Sequence, residues 1–182
     1  MAARQRGQEE HMAINTTRDL FIYELGILGE MEISGRRVLD FLAHRVSDDL
    51  GQIVRRKQQE CMQWNHNINS CAKAFGTSPL STRSDTVEGM YGRFESFVRT
   101  NPSVDLVDQF AVDTLIRFLY LTIAAHKTLF DWAIIMGEAQ CVQYLHANLV
   151  QKQESAAEIE RYGHELGVRL LILQPGIVIT AR

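Results

Sequence analysis

Two lysines occupy positions at which the sequence pattern predicts buried apolar side chains. Lys57 lies between Val54 and Cys61 on the apolar stripe of one helix, and Lys152 lies four residues before Ala156 on another. A charged group in a protein core is costly unless an opposite charge accompanies it. We therefore predict a core charge cluster in which both ammonium groups pair with acidic side chains. The candidate partners are Glu24, Glu32 and Glu60. The alternative is that both lysines lie at the stripe edges and extend outwards to solvent.

The other reactive residue types form no catalytic or cofactor-binding motif. Cys61, Cys71 and Cys141 are odd in number and far apart, so we interpret them as reduced core thiols rather than a disulfide framework. His126 and His146 are single histidines, which are more often structural than ligating. No Gly-rich phosphate loop and no hydrolase nucleophile elbow is present. We therefore assign no catalytic residues, no cofactor-binding residues and no cofactor.

Composition excludes two classes of protein. The 182 residues carry a formal net charge of −3 without a basic block, which argues against nucleic-acid binding. The most apolar stretch, 115–136, contains Arg117, His126, Lys127 and Asp131, which disfavours a membrane span. The first ten residues are polar and show no secretory signal, so we expect a soluble, cytoplasmic protein.

Apolar periodicity and helix-capping residues define the elements that must position these side chains. After a flexible tail over 1–14, four long helices are predicted at about 17–45, 48–75, 104–136 and 138–166. A shorter amphipathic helix is predicted over 85–99, between the second and third long helices.

The connections between these helices indicate a fold. Two short turns make antiparallel pairs, and the long connection with its own helix lets the second pair pack against the first. We therefore predict an all-α, ferritin-like four-helix bundle over 15–167, with a short crossover helix between long helices two and three. Residues 168–182 are apolar, with a turn at 174–176, and are interpreted as two short strands or an extended C-terminal arm. This arm either folds on its own bundle or docks on another subunit or protein partner.

Several short segments resemble, in order and spacing, the YciE/YciF group of bacterial ferritin-like stress proteins. The similarity runs from about Thr17 to Tyr162. The segments that carry it are Leu20-Phe21, Glu30-Met31-Glu32, Ser47-Asp48-Asp49-Leu50, Ser84 to Met90, and the pair Trp132 and Gly137. The resemblance implies a ferritin-like fold with a di-iron site built from carboxylates and imidazoles of all four long helices.

Most positions that the resemblance assigns to metal ligands carry other residues. Glu32 and Glu60 keep carboxylates, and they are the residual metal-ligand candidates. Lys57 replaces a histidine, positions 119–122 of the third long helix carry no carboxylate or imidazole, and Lys152 replaces a glutamate. A shift of part of a turn in the last helix would bring in Glu154 or Glu158. We hypothesise that lysine ammonium groups replace the charge of the lost metal, so no metal is expected.

These observations favour a non-catalytic structural or interaction protein, related to stress and homodimeric through the third long helix. The first alternative is an iron-binding, oxidant-handling protein with a rearranged site. The second is a binding module that holds a small ligand in the emptied core of the bundle.

Overall fold

A computed structural model describes residues 14–77 and 84–172, and these residues form helices and connections without any strand. The helices are α1 (Thr17–Ala43), α2 (Asp48–Ala74), α3 (Asp85–Val98), α4 (Val104–Met136) and α5 (Ala139–Ile172). The prediction of an all-helical chain is confirmed. Most of the predicted tail (1–13), the middle of the loop after α2 (78–83) and the last ten positions (173–182) lie outside the described residues.

The helix ends follow from local side-chain and backbone chemistry. At the start of α1, the Asp19 amide donates to Thr16 Oγ1 at 3.1 Å, and the Thr16 amide donates to Asp19 Oδ2 at 2.9 Å. This reciprocal capping box satisfies amides that have no partner within the helix. At the end of α4, Gly137 adopts φ +74°, a left-handed conformation that glycine enters without steric cost. The chain can therefore reverse directly into α5.

The start of α2 is capped by a side chain from α4. Ser47 stands at the predicted N-cap position, but its side chain makes no bond to its own helix. Instead, its backbone amide donates to Asp108 Oδ1 at 2.9 Å, and its hydroxyl donates to Asp108 Oδ2. Asp108 is nearly fully buried. This contact holds the α1–α2 turn against α4.

The four long helices contact one another in a closed ring. α1 packs on α2, α2 on α5, α5 on α4, and α4 on α1, while α3 packs against α1 and α4. Two apolar clusters fill the interior. One contains Leu39, Trp64 and Phe118, and the other contains Phe21 and Leu129.

Buried polar residues lie between these two apolar clusters along each long helix. We call this set the central polar layer, and it consists of Glu32, Asn67, Thr122, His126, Asn148 and Lys152. Each long helix contributes at least one member of the layer.

The C-terminal prediction is wrong for positions 168–172. These residues continue α5, which ends at Ile172, instead of forming a strand or an extended arm. Gly167 costs a helix only about 1 kcal/mol relative to alanine, so it does not end one by itself. Leu166 packs in the core just before it, and Arg169 lies in the last turn, where a cation suits the helix dipole. Positions 173–182 of the predicted arm lie outside the described residues.

A membrane-spanning helix was not predicted, even for the apolar stretch at 115–136. Within 14–77 and 84–172, no helix combines the length and the apolarity that a bilayer crossing requires.

A close contact between α1 and α4 provides a test of the packing. A Cβ atom added at Gly35 would lie 2.0 Å from Phe118 Cζ, so Gly35→Ala must displace a core ring. Because overpacking costs about 1–3 kcal/mol, we expect this loss in the free energy of unfolding, measured by urea denaturation. Gly89→Ala, on the exposed side of α3 with nothing within 4 Å, is the matched control and should not destabilise. Equal effects of both substitutions would contradict the close helix contact.

Candidate functional site

The centre of the bundle contains a fully buried ion pair. Lys152 Nζ on α5 lies 2.7 Å from Glu32 Oε1 on α1, and both side chains are 0% exposed. α1 and α5 are not adjacent in the ring of helix contacts, so the pair crosses the interior. The contact has ion-pair distance without the alignment of a hydrogen bond, and Glu32 Oε2 has no hydrogen-bond partner among the described residues. The pair is therefore held mainly by charge attraction.

Two aromatic rings complete the surroundings of the Lys152 ammonium. Its Nζ lies 3.6 Å from the centroid of the Trp64 ring and 5.3 Å from that of Phe118. A cation over an aromatic face is attracted by the negative centre of the ring, and the attraction is stronger without water. The Trp64 ring is itself held in place, because its Nε1 donates to Gln151 Oε1 at 2.8 Å. The charge of Lys152 is thus balanced by one carboxylate and by ring faces.

The electrostatics of this centre follow from its burial. Burial raises the pKa of Glu32, and the adjacent Lys152 ammonium offsets part of that increase. The Cys61 thiol lies close enough to feel both groups, and burial together with the Glu32 charge raises its pKa. Cys61 is therefore a protonated, unreactive thiol in the core, as the sequence led us to expect.

An asparagine–histidine network extends the polar layer from Lys152 towards the second apolar cluster. Asn67 Nδ2 donates to Asn148 Oδ1 at 2.6 Å, and Asn148 Nδ2 donates to the Trp64 carbonyl at 3.0 Å. His126 Nδ1 contacts the Thr122 carbonyl at 2.8 Å, and its Nε2 lies 3.2 Å from Asn148 Nδ2. Burial and the charge of Lys152 lower the pKa of His126 to about 3. The imidazole is therefore neutral, with its proton on Nδ1 and Nε2 accepting from Asn148.

The second predicted lysine organises a separate cluster between α2 and α5. Lys57 Nζ lies 2.9 Å from Glu60 Oε1, 2.9 Å from Ser155 Oγ and 2.9 Å from Glu158 Oε2. The Ser155 hydroxyl donates to Glu60 Oε2 at 2.8 Å, and Glu158 also binds Arg56. Two cations and two carboxylates balance each other here. The Lys57 side chain is 6% exposed, whereas that of Glu158 is 34% exposed, so this cluster reaches the surface.

The structure brings four of the five predicted cluster residues into ion pairs, as two separate pairs. Lys152 contacts Glu32, and Lys57 contacts Glu60, while Glu24 is half-buried on α1 and takes part in neither cluster.

The predicted cluster omitted several residues that complete the site. The sequence predicts Glu158 only as a shifted ligand position and His126 only as a single structural histidine. The sequence pattern does not single out Asn67, Asn148 or Ser155. These residues share one sequence feature that could have indicated burial. Each is a polar residue next to an apolar position of a helix stripe, as Asn148 is next to Leu149.

The candidate metal ligands are not grouped as a shared metal ion requires. Across 14–77 and 84–172, no three His, Cys, Asp or Glu side chains lie together in a metal-binding arrangement. Glu32 and Glu60 face lysine ammonium groups instead.

Comparison with known proteins identifies the class of protein. The model of a family described as a domain of unknown function, DUF892, matches residues 16–169, and the chain belongs to this family. No curated protein matches the chain by sequence.

Two solved structures share the fold. The Escherichia coli stress protein YciF superposes with a TM-score of 0.80 at 16% identity, covering 85% of this chain and 99% of its own. YcfI from Rhodopseudomonas palustris, for which a structural role has been suggested, superposes with a TM-score of 0.76 at 19% identity, covering 81% of this chain and 94% of its own. The resemblance to the YciE/YciF group is confirmed.

Removal of the Lys152 ammonium tests the central ion pair. Lys152→Met leaves Glu32 buried and unpaired, which should lower the free energy of unfolding by about 3–5 kcal/mol at neutral pH, measured by urea denaturation. The unpaired Glu32 would have a folded-state pKa further above its unfolded value. Since the folded variant then binds a proton that the unfolded chain releases, the deficit should be larger at pH 8 than at pH 5.

Two further variants serve as controls for this experiment. Glu32→Leu combined with Lys152→Met should lose less stability than Lys152→Met alone, because no buried charge remains. Arg99→Met removes an exposed ion pair with Glu95 and should change stability little. A deficit that is independent of pH and unchanged in the double variant would indicate lost packing alone, and would contradict the ion pair.

Proposed function

We propose that this chain is a non-catalytic structural or interaction protein with a ferritin-like four-helix bundle, in which lysine ammonium groups replace the charge of a metal centre. The observation that supports this most directly is the 2.7 Å contact between Lys152 Nζ and Glu32 Oε1 at the centre of the helices. A cation already neutralises the carboxylate that the family resemblance assigns to the metal.

The residues of the centre do not fit a di-iron site. Such a site needs inward carboxylates and imidazoles from all four helices. Here Glu32 and Glu60 are each neutralised by a lysine. The two nitrogens of His126, the imidazole in this layer, contact the Thr122 carbonyl and the Asn148 amide. A metal cation would have to displace the lysines from the carboxylates and the Thr122 carbonyl and Asn148 amide from His126.

The arrangement of helices supports the ferritin-like assignment. α1, α2, α5 and α4 contact one another in a ring, which is the pattern expected of two antiparallel pairs packed together. α3 lies in the chain between α2 and α4 and packs on α1 and α4, which fits a crossover helix.

The stress-related part of the proposal rests on similarity of fold. YciF is described as a stress protein, and a structural role has been suggested for YcfI. Fold alone does not determine function, so the role of this chain depends on the chemistry of its own residues. Ion pairs in place of metal ligands fit a structural role better than a catalytic one. The cytoplasmic location stays a prediction from the sequence.

Packing of the centre disfavours the alternative of a ligand-binding core. Trp64 and Phe118 surround the Lys152 ammonium and are almost completely buried. Two pockets among residues 14–77 and 84–172 are open surface grooves, one lined by Asp49 and Tyr162 and the other by Arg36 and Tyr91. The other alternative is an iron protein with a rearranged site, and the iron content of the purified protein distinguishes it from the proposal.

Metal analysis tests the proposal that the centre of the bundle binds no iron. Protein produced with iron in the medium and purified without chelators should contain far less than one iron per chain, measured by inductively coupled plasma mass spectrometry. Added ferrous iron should leave the Tm unchanged, because a ligand that binds the folded state would raise it. Near-stoichiometric iron, or a Tm that rises with iron concentration, would contradict the proposal.

We also propose that the protein is a homodimer through α4. Ile134 and Ile135 are adjacent near the end of this helix and are 52% and 80% exposed, so contact with a second copy would remove both apolar side chains from water.

Light scattering tests this dimer. The mass should be twice the chain mass of 20.7 kDa, and Ile135→Glu should shift it towards the monomer. Ile172→Glu, at an apolar position of α5 that is 66% exposed, is the matched control and should leave the dimer intact. A monomer at all concentrations, or equal effects of the two variants, would contradict an interface on α4.

A further inference from the structure

Two of the three cysteines lie side by side across the contact between α2 and α5. Cys71 is in the last turn of α2, Cys141 is in the first turn of α5, and both are completely buried. Cys71 Sγ lies 3.9 Å from the Cys141 carbonyl oxygen, and Cys141 Sγ lies 3.8 Å from the Cys71 carbonyl oxygen. Each sulfur therefore lies against the backbone of the other cysteine, and the two side chains interact directly.

The two thiols have different acidities because they interact. The interaction between the two side chains lowers the pKa of Cys141, whereas the same interaction and burial raise the pKa of Cys71. The nearby Arg18 also favours the Cys141 thiolate, although burial and Glu138 oppose it. Cys141 is in the first turn of α5, where the helix dipole favours a thiolate, and Cys71 is in the last turn of α2, where the dipole disfavours one. Since the thiolate is the attacking form, we assign the attack to Cys141 and the resolving role to Cys71.

The third cysteine provides an internal comparison. Cys61 is on α2 about three turns before Cys71, beside the central ion pair, and burial raises its pKa. Its strongest electrostatic neighbours are Glu32 and Lys152 instead of another thiol. Burial alone therefore does not distinguish the three cysteines, but the presence of a neighbouring thiol does.

The thiol pair lies where the bundle can open locally. Cys71 is four residues before Phe75, the C-cap of α2, and Phe75 packs on the same apolar cluster as both cysteines. Arg18 stacks on the Phe75 ring and pairs with Glu138 at 3.0 Å, with its side chain 53% exposed. Helix ends and exposed ion pairs open at small cost in free energy. A small oxidant can therefore reach these sulfurs more easily than Cys61.

We propose that Cys71 and Cys141 are an oxidisable thiol pair at which a hydroperoxide forms a disulfide that joins α2 to α5. The Cys141 thiolate attacks a peroxide oxygen, the O–O bond breaks, and Cys141 becomes a sulfenic acid as water or an alcohol leaves. The Cys71 thiol then attacks the sulfenic sulfur, the S–S bond forms as the S–O bond breaks, and the hydroxyl leaves as water with the Cys71 proton. Two thiols are oxidised by two electrons and one hydroperoxide is reduced.

The disulfide would stabilise the bundle. It joins positions 70 residues apart in sequence, so it restricts a long loop of the unfolded chain. With hydrogen peroxide as the oxidant, we expect the Tm of the oxidised protein to rise by roughly 5–10 °C.

Thiol titration and peptide mapping of the full chain test this proposal. The reduced protein has three thiols, and hydrogen peroxide at a low molar excess should leave one, counted after denaturation. Mass spectrometry of the digested, unreduced protein should show the peptide that links Cys71 to Cys141. This mapping uses the unchanged chain, so it does not depend on the folding of any variant.

Variants separate the pair from the third cysteine. Cys61→Ala should form the disulfide at the wild-type rate and show the same rise in Tm on oxidation. Cys71→Ser and Cys141→Ser should form no intramolecular disulfide and show no rise. A disulfide that involves Cys61, intermolecular crosslinks alone, or three intact thiols after a peroxide treatment that oxidises free glutathione completely would overturn the proposal.

Discussion

The burial of the Lys152 ammonium opposite Glu32 is the constraint on which the interior of this protein depends. Removing two ions from water costs several kcal/mol each, and their attraction offsets this only when the geometry is held. The pair spans α1 and α5, which are not adjacent in the ring of helices, so it fixes their relative positions across the interior. An ion pair held in this way adds little net stability, but it favours the packing of the four helices in which the two charges meet.

The neighbours of this pair show how a charge is accommodated in a core. The ring faces of Trp64 and Phe118 lie next to the ammonium and attract its charge without accepting its proton. One turn away on α5, Asn148 binds His126, whose pKa of about 3 keeps the imidazole uncharged beside Lys152. A charged histidine there would repel the ammonium. The polar layer therefore contains one central ion pair, and its other members are neutral.

Sequence periodicity located the helices closely, but it could not supply the partners of buried polar groups. Lys57 and Lys152 were identifiable because a charge on an apolar stripe needs a counter-charge nearby. Which carboxylate each one meets depends on the register between helices, and a single helix does not encode this. Glu24 is two turns before Glu32 on α1 and so falls beyond the central pair. The C-terminal end of α5 was predicted too early, because a run of Leu, Ile and Val has β propensity. In the structure these residues instead extend a helix that is anchored in the core up to Leu166.

Exchange of a metal for lysine has a geometric consequence under the proposed function. A metal cation can hold several carboxylates at one point, whereas an ammonium carries a single charge on a flexible stem. Each carboxylate therefore needs its own lysine, and Glu32 and Glu60 belong to two clusters instead of one centre. Both clusters include a residue of α5, which is Lys152 in the first and Ser155 in the second. The Cys71–Cys141 contact joins α5 to α2 as well. α5 is thus attached to α1 at the centre and to α2 at three levels: the Lys57 cluster, the central polar layer and the cysteine contact. Under the proposed function, α5 therefore holds the helices together where a metal would otherwise do so.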